Sequence, residues 1–271
     1  VTFRDFVTGF RKLEIDRLNP VIVHASLSAF GELHGGTDSI IGALCSSFET
    51  VVMPAFTYKT MITPEMGPPE NGMSYGSGRD ANRMAEIFQP DMPVDIMMGI
   101  LPEVVRVHPK AKRSSHPILS FVGINAGKIL DTQAIKEPLA PIQALSEAQG
   151  WVLLLGVDHK ANTSIHYGEQ LAGRKQFIRW ALTPKGVIPC HKFPGCSTGF
   201  NAISPYLDEA IRRIEIGEAV IQAIPVQNLL DSVINLLKDD PLALLCSQPD
   251  CARCTAVRES VENPQPFEYF P

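Results

Sequence analysis

Four short apolar runs constrain this chain more than any other feature: "PVIVHAS", "TVVMPAFTY", "HPILSFVGINA" and "WVLLLGV". Each is bounded by Pro, Gly or polar residues, the pattern of strands buried on both faces. Helical stretches separate them. "TFRDFVTGFRKL" spaces Phe3, Phe6, Val7 and Phe10 at helical intervals, and "GGTDSIIGALCSSF" offers Thr37 or Asp38 as an N-cap. "GILPEVVRVHP" reads as a helix opened by Pro102, and "PIQALSEAQG" as one that ends at Gly150. Strand and helix in alternation predict a parallel sheet with helices on its faces.

With 271 residues, 45% of them apolar, the chain can bury a sizeable core, and one domain over 1–271 is expected. Past residue 174 the pattern changes to shorter strand-like pieces, "DEAIRRIEIGEAVIQAI", and a cysteine-bearing tail at 240–260 inside that domain. A net charge of −5 argues against a nucleic-acid partner, which wants a basic face. The longest apolar runs are far too short to span a bilayer, so no membrane association is expected. Six cysteines in a chain this long are no disulfide scaffold, and a cytoplasmic setting that keeps them reduced is expected. Residues 59–93, rich in Gly, Pro, Met and Asn, read as a long functional or mobile excursion. Within it "YGSGRD" has a G-x-G but no strand–helix context, and is discounted as a nucleotide loop.

Three stretches carry chemistry. "GVDHKANTSIHYGE" follows an apolar strand and enters a helix capped by Asn162 or Thr163, where open α/β sheets place ligands. His166 and Glu169 are three apart and share a helix face, which suits a general base oriented by a carboxylate. Spacing alone equally describes a solvated surface pair, and favours it. The stretch "VIVHASLSAFGELHGG" ends a strand in hydroxyls and glycines that would offer donors to an anion. The stretch "HPKAKRSSHPILSFVG" clusters Arg113, Ser114, Ser115 and His116 with Lys110 and Lys112, either an anion-binding group or an ordinary basic loop.

Together with "MPVDIMMGILPEVVR" and "GCSTGFNAI", these pieces resemble, in the same order and over about residues 3–240, the aminoglycoside 3-N-acetyltransferase (antibiotic N-acetyltransferase) family. The resemblance implies a three-layer α/β/α fold with a mainly parallel central sheet, unlike the GNAT acetyltransferases, plus a smaller mixed C-terminal region. It implies acetyl transfer from acetyl-CoA to a cationic amine, the 3-amino group of a 2-deoxystreptamine aminoglycoside, as in antibiotic resistance. By similarity His24, Ala25, Ser26, Leu27 and Ser28 would line the coenzyme A site with Arg113, Ser114, His116 and Ser120, and the backbone at Met98 and Gly99 would approach it. His166 would be the base, Glu169 and Asp158 its carboxylate partners or substrate contacts. Tyr58 and Glu137 join Glu169 as expected acceptor contacts, and family habit implies a homodimer.

The chain departs from that pattern twice. "QAIKEPLAPIQ" replaces a Gly-His pair and a Gly-x-x-Ser-Pro turn that in relatives tend to lie near the substrate, so the acceptor is the open part of the expectation. The tail "LLCSQPDCARC" carries Cys246, Cys251 and Cys254 as C-x4-C-x2-C. With Cys190 or His191 of "CHKFPGC" as fourth ligand, these make a structural zinc site, and Cys196 reads as packing. Three other readings remain: another amine acceptor on the same fold, a non-catalytic binding protein with a zinc tail, and a zinc hydrolase using His166 and Glu169.

Overall fold

The apolar runs become strands, and the computed structural model describes residues 1–76 and 82–263. Most of "YGSGRD" therefore lies outside the described residues. Strands β1 (Val21–Ala25), β2 (Val51–Pro54), β4 (Ala111–Arg113), β5 (Phe121–Ile124), β6 (Trp151–Leu155), β9 (Arg212–Ile216) and β10 (Ala219–Pro225) form a seven-stranded sheet in the order β4-β5-β2-β1-β6-β10-β9. The strand β3 (Met61–Ile62) pairs instead with the hairpin β7 (Phe177–Thr183) and β8 (Gly186–Phe193) in a second, smaller sheet. At the centre β1 lies parallel to both β2 and β6. The flanking pairings are antiparallel, with only β5 and β10 reversed, so five of the seven strands point one way.

Alternation along the strands sorts the core into two halves. Val21, Val23, Met53, Leu153 and Leu155 pack with α1 (Phe3–Lys12), α2 (Gly36–Ser47) and α3 (Ile100–Arg106). Ile22, Val52, Val152 and Leu154 pack with α4 (Gly127–Leu130), α5 (Ala140–Glu147), α6 (Ser164–Leu171) and α7 (Val226–Asp239). This is the expected α/β/α sandwich. The smaller C-terminal region is the β3-β7-β8 sheet with α8 (Ala252–Glu262), whose Ala256 and Val257 join the second core half. Helix α7 buries Val226, Leu229, Leu230, Val233, Leu236 and Leu237, each stabilising by roughly 1.5–3 kcal/mol over exposure.

Local chemistry sets the helix ends that matter. The cap of α2 is Gly35, in the left-handed region at φ 83°, rather than Thr37 or Asp38, which fall inside the first turn. Pro102 sits inside the first turn of α3, where its missing N–H costs nothing. Asn162 Oδ1 accepts the Ser164 N–H at 3.2 Å and so starts α6, while the Thr163 side chain makes no cap bond. Helix α6 presses close on α7: a Cβ at Gly168 would fall 2.8 Å from Val233. Glycine there holds the helix that carries His166 and Glu169 against the core.

Candidate active site

Because β1, β2 and β6 are parallel, their C-terminal ends share one edge of the sheet, and a cavity of about 850 Å³ opens there. The end of β1 supplies His24, Ala25, Ser26 and Leu27. The chain after β2 supplies Tyr58, the approach to α3 supplies Met98 and Gly99, and α6 supplies His166. Sequence reasoning assigned these eight residues to donor, acceptor and base, and the fold gathers them around one space. Ser28 is not on its wall; its hydroxyl lies 3.0 Å from that of Ser26.

His166 and Glu169 are no solvated pair. Their side chains are 11% and 3% exposed, and His166 Nδ1 lies 2.8 Å from Glu169 Oε2. The other carboxylate oxygen accepts from Arg174 Nη1 at 2.7 Å, and Arg174 Nη2 donates to the carbonyls of Pro241 and Ala243. A buried carboxylate between a guanidinium and an imidazole N–H has a partner on each oxygen. It fixes the His166 tautomer with hydrogen on Nδ1, which leaves Nε2 for a ligand in the cavity. The ring also packs edge-on against Phe200, with centroids 4.6 Å apart. With both Glu169 oxygens taken and a guanidinium beside them, this pair is a poor divalent-metal site, which removes the basis for a zinc hydrolase.

The expected basic cluster lies away from the cavity wall. Arg113, Ser114, His116 and Ser120 lie in the framework and none lines the cavity. Arg113 gives Nε to Ser120 Oγ at 3.1 Å, Nη1 to the Met92 carbonyl at 2.5 Å and Nη2 to the Ala55 carbonyl at 2.9 Å. Burial lowers its pKa to about 10. His116 Nδ1 accepts from the backbone of Ile118 and Leu119, and Ser114 Oγ accepts the Phe121 N–H. Polar atoms committed to shaping the loop between β4 and β5 are not free to receive phosphates. His24, by contrast, borders the cavity; burial holds its pKa down to about 3, and its Nε2 is enclosed without a protein partner.

Asp158 and Glu137 are also placed elsewhere. Asp158 caps the turn at His159–Ala161 and binds Asn201 Nδ2 at 2.8 Å and Lys160 Nζ at 3.3 Å. Burial raises its pKa, but these hydrogen bonds outweigh that and leave the carboxyl below its ordinary value. It borders a separate shallow depression with Glu218 and Gln222 rather than the main cavity. Glu137 pairs with Lys192 and receives a long 3.4 Å bond from Gln170. Tyr58 remains on the cavity wall, its phenol pushed up to about 12 chiefly by burial.

A model of the aminoglycoside 3-N-acetyltransferase family matches residues 22–238, most of the chain. The chain belongs to that family. The SPbeta prophage-derived aminoglycoside N(3')-acetyltransferase-like protein YokD of Bacillus subtilis is 33% identical over 177 residues, covering 62% of this chain and 64% of that protein. The match thus spans just under two thirds of that curated relative. The apoenzyme of aminoglycoside acetyltransferase AAC(3)-IVa superposes with a TM-score of 0.77 at 23% identity, over 95% of this chain and 97% of that one. The binary complex of AAC-IIIb with CoASH superposes at 0.70 and 23%, over 88% and 97%. These likenesses confirm the three-layer fold.

Two features of this family member escaped the sequence, the first wholly and the second only in its fourth residue. Arg179 and Arg253 line the cavity with Lys160, and among the described residues its lining holds no Asp or Glu. Arg179 stacks over Phe177 and Phe193 and donates to the Asn71 and Ile178 carbonyls, while Arg253 donates to the Gly195 carbonyl at 2.9 Å. No local pattern marks either residue as a cavity group, because the carbonyls of Asn71 and Gly195 that hold them lie tens of positions away. The other feature is the tail: the sulfurs of Cys196, Cys246, Cys251 and Cys254 lie within 4.8 Å of one another. Cys190 is not among them. It points from β8 into the apolar core, 1% exposed, and burial pushes its thiol up to about 12. His191, the next residue on that strand, is not in the group either.

Proposed function

We propose that this protein is an acetyl-CoA-dependent N-acetyltransferase in which His166 is the general base. The buried His166–Glu169–Arg174 chain at the cavity carries this reading. His166 Nε2 takes a proton from the acceptor amine as its nitrogen attacks the thioester carbonyl. The C–N bond forms, the C–S bond breaks, and the imidazolium returns the proton to the departing coenzyme A sulfur. Donors at the end of β1, beside His24, meet the carbonyl oxygen as charge grows on it. The CoASH complex of a relative with the same fold supports coenzyme A as the donor. The reading expects a cytoplasmic setting that supplies acetyl-CoA, and a homodimer, checked by light scattering.

For the acceptor, the family points to the 3-amino group of a 2-deoxystreptamine aminoglycoside. One observation favours a second reading on the same chemistry. A polycation wants carboxylates, and the described lining presents Lys160, Arg179 and Arg253 instead. An amine whose own molecule carries an anion fits those charges. The test is free-thiol release from acetyl-CoA across a panel of 2-deoxystreptamine antibiotics and of amino acids and amino-sugar phosphates. Turnover of the antibiotics supports the first acceptor, and turnover confined to the anionic amines supports the second. Failure to bind acetyl-CoA, by calorimetry, overturns the acetyltransferase reading itself.

A further inference from the structure

The four clustered thiols are too tightly grouped for chance packing of apolar side chains. Cys246 and Cys254 are buried, Cys196 and Cys251 are half-buried, and all four Sγ atoms lie within 4.8 Å of one another. Tetrahedral zinc–thiolate bonds of about 2.3 Å place sulfurs just under 4 Å apart. The Cys246 and Cys254 sulfurs are 3.4 Å apart, a distance at which no S–S bond exists and which a shared ion would hold. We propose that Cys196, Cys246, Cys251 and Cys254 form a structural site for one zinc ion.

The surroundings suit thiolates. Backbone N–H groups reach two of the sulfurs: Thr198 N to Cys196 Sγ at 3.5 Å, and Cys246 N to Cys254 Sγ at 3.4 Å. Such donors stabilise the charge of metal-bound sulfur. Cys251 is the N-cap of α8 and Cys254 lies in its first turn, so the positive end of that helix meets the two thiolates. Two segments distant in sequence meet at the site: the turn after β8 brings Cys196, and the chain after α7 brings the other three. A soft, four-coordinate site of this kind selects zinc over the hard cations, which want oxygen.

The site would also set one wall of the active cavity. Gly195 and Ser197 flank Cys196, and Arg253 lies between Cys251 and Cys254; all three border the cavity. The Arg253–Gly195 hydrogen bond joins the two segments a second time. Metal bound here ties together the pieces that carry Arg253 to the cavity wall.

The test is elemental analysis of the full chain purified without chelator, expected to find about one zinc per chain. A mercurial added with a chromogenic zinc indicator should release that ion as four thiols are capped. The variant Cys190→Ser should keep the metal and Cys196→Ser should lose it. Should Cys196→Ser fail to fold, cobalt(II) exchanged into the wild-type chain decides: intense tetrathiolate bands support the site, and the weak spectrum of oxygen-ligated cobalt overturns it. Less than about half a zinc per chain, a Cys246–Cys254 disulfide in unreduced protein, or loss of metal in Cys190→Ser would each overturn the proposal.

Discussion

His166 Nδ1 and Glu169 Oε2 meet at 2.8 Å inside the protein, one helical turn apart on α6, with Arg174 closing the far side of the carboxylate. Everything proposed for the chemistry depends on that contact holding the imaginable rotamers of His166 to one.

His166→Ala removes the base together with its contacts to Glu169 and Phe200. Turnover of the folded variant should fall by about 10²- to 10⁴-fold, with a thermal midpoint somewhat below wild type as the buried Glu169 loses one partner. Thiol release and a melting curve on the same preparation check both halves; near-full turnover in the folded variant rules out the mechanism.

Glu169→Ala leaves the Arg174 guanidinium, 4% exposed, buried without its carboxylate. Removing one partner of a buried pair costs about 3–5 kcal/mol, a loss visible in urea denaturation. It exceeds the cost expected for the exposed pair Arg213–Asp208, where an Asp208→Ala change is worth at most about 1 kcal/mol.

Arg113→Leu separates a framework role from a coenzyme role. Its three hydrogen bonds fasten the Ala55 and Met92 carbonyls and Ser120. Losing bonds from a charged donor costs about 1.5–3 kcal/mol each at most, so the midpoint of denaturation should fall. Acetyl-CoA affinity, measured by calorimetry on the folded fraction, should stay at the wild-type value. A large loss of affinity without loss of stability would return Arg113 to the coenzyme site.

Acid should destabilise the fold through its buried histidines. Burial lowers His24 to about 3 and His116 to about 4, against an ordinary 6.5. Above pH 6.5 neither group binds a proton in either state, so neither changes stability. As pH falls below 6.5 the unfolded chain takes up protons that the folded one refuses, and stability drops until the folded values are reached. Each such histidine contributes a slope of about 1.4 kcal/mol per pH unit. His24→Leu should flatten the curve of unfolding free energy against pH between 6 and 4 by about that amount.

Gly156→Ala should damage the site from a distance. Gly156 ends β6 at φ 66°, and an added Cβ would fall 2.4 Å from Ala29 Cβ and 3.3 Å from the Ser26 carbonyl. The left-handed backbone alone costs about 1 kcal/mol or more for a residue with a Cβ, and the clash displaces the turn after β1, whose Ser26 borders the cavity. Reduced stability together with weaker acetyl-CoA binding is the expected outcome, checked by denaturation and calorimetry.

Periodicity and short spacing determined what lies close along the chain. The apolar runs marked the four core strands at 21–25, 51–54, 121–124 and 151–155, and their alternation with helices marked the layers. The i, i+3 spacing put His166 and Glu169 on one face, and C-x4-C-x2-C marked three of four clustered thiols. The reversed strands β5 and β10 carry no mark in such patterns, because an apolar run does not encode its direction. Burial of Glu169 was equally hidden: a polar residue is buried when a partner arrives, and Arg174 is held there by carbonyls at Pro241 and Ala243, some seventy residues on. The same reason explains Arg113, a charge spent on carbonyls of β2's exit and of Met92 rather than on a ligand. Cys196 in place of Cys190 was decided by the turn after β8, which sends one thiol toward the tail while the strand's alternation buries the other. Local pattern fixes which side chains share a face; only tertiary packing decides which faces meet.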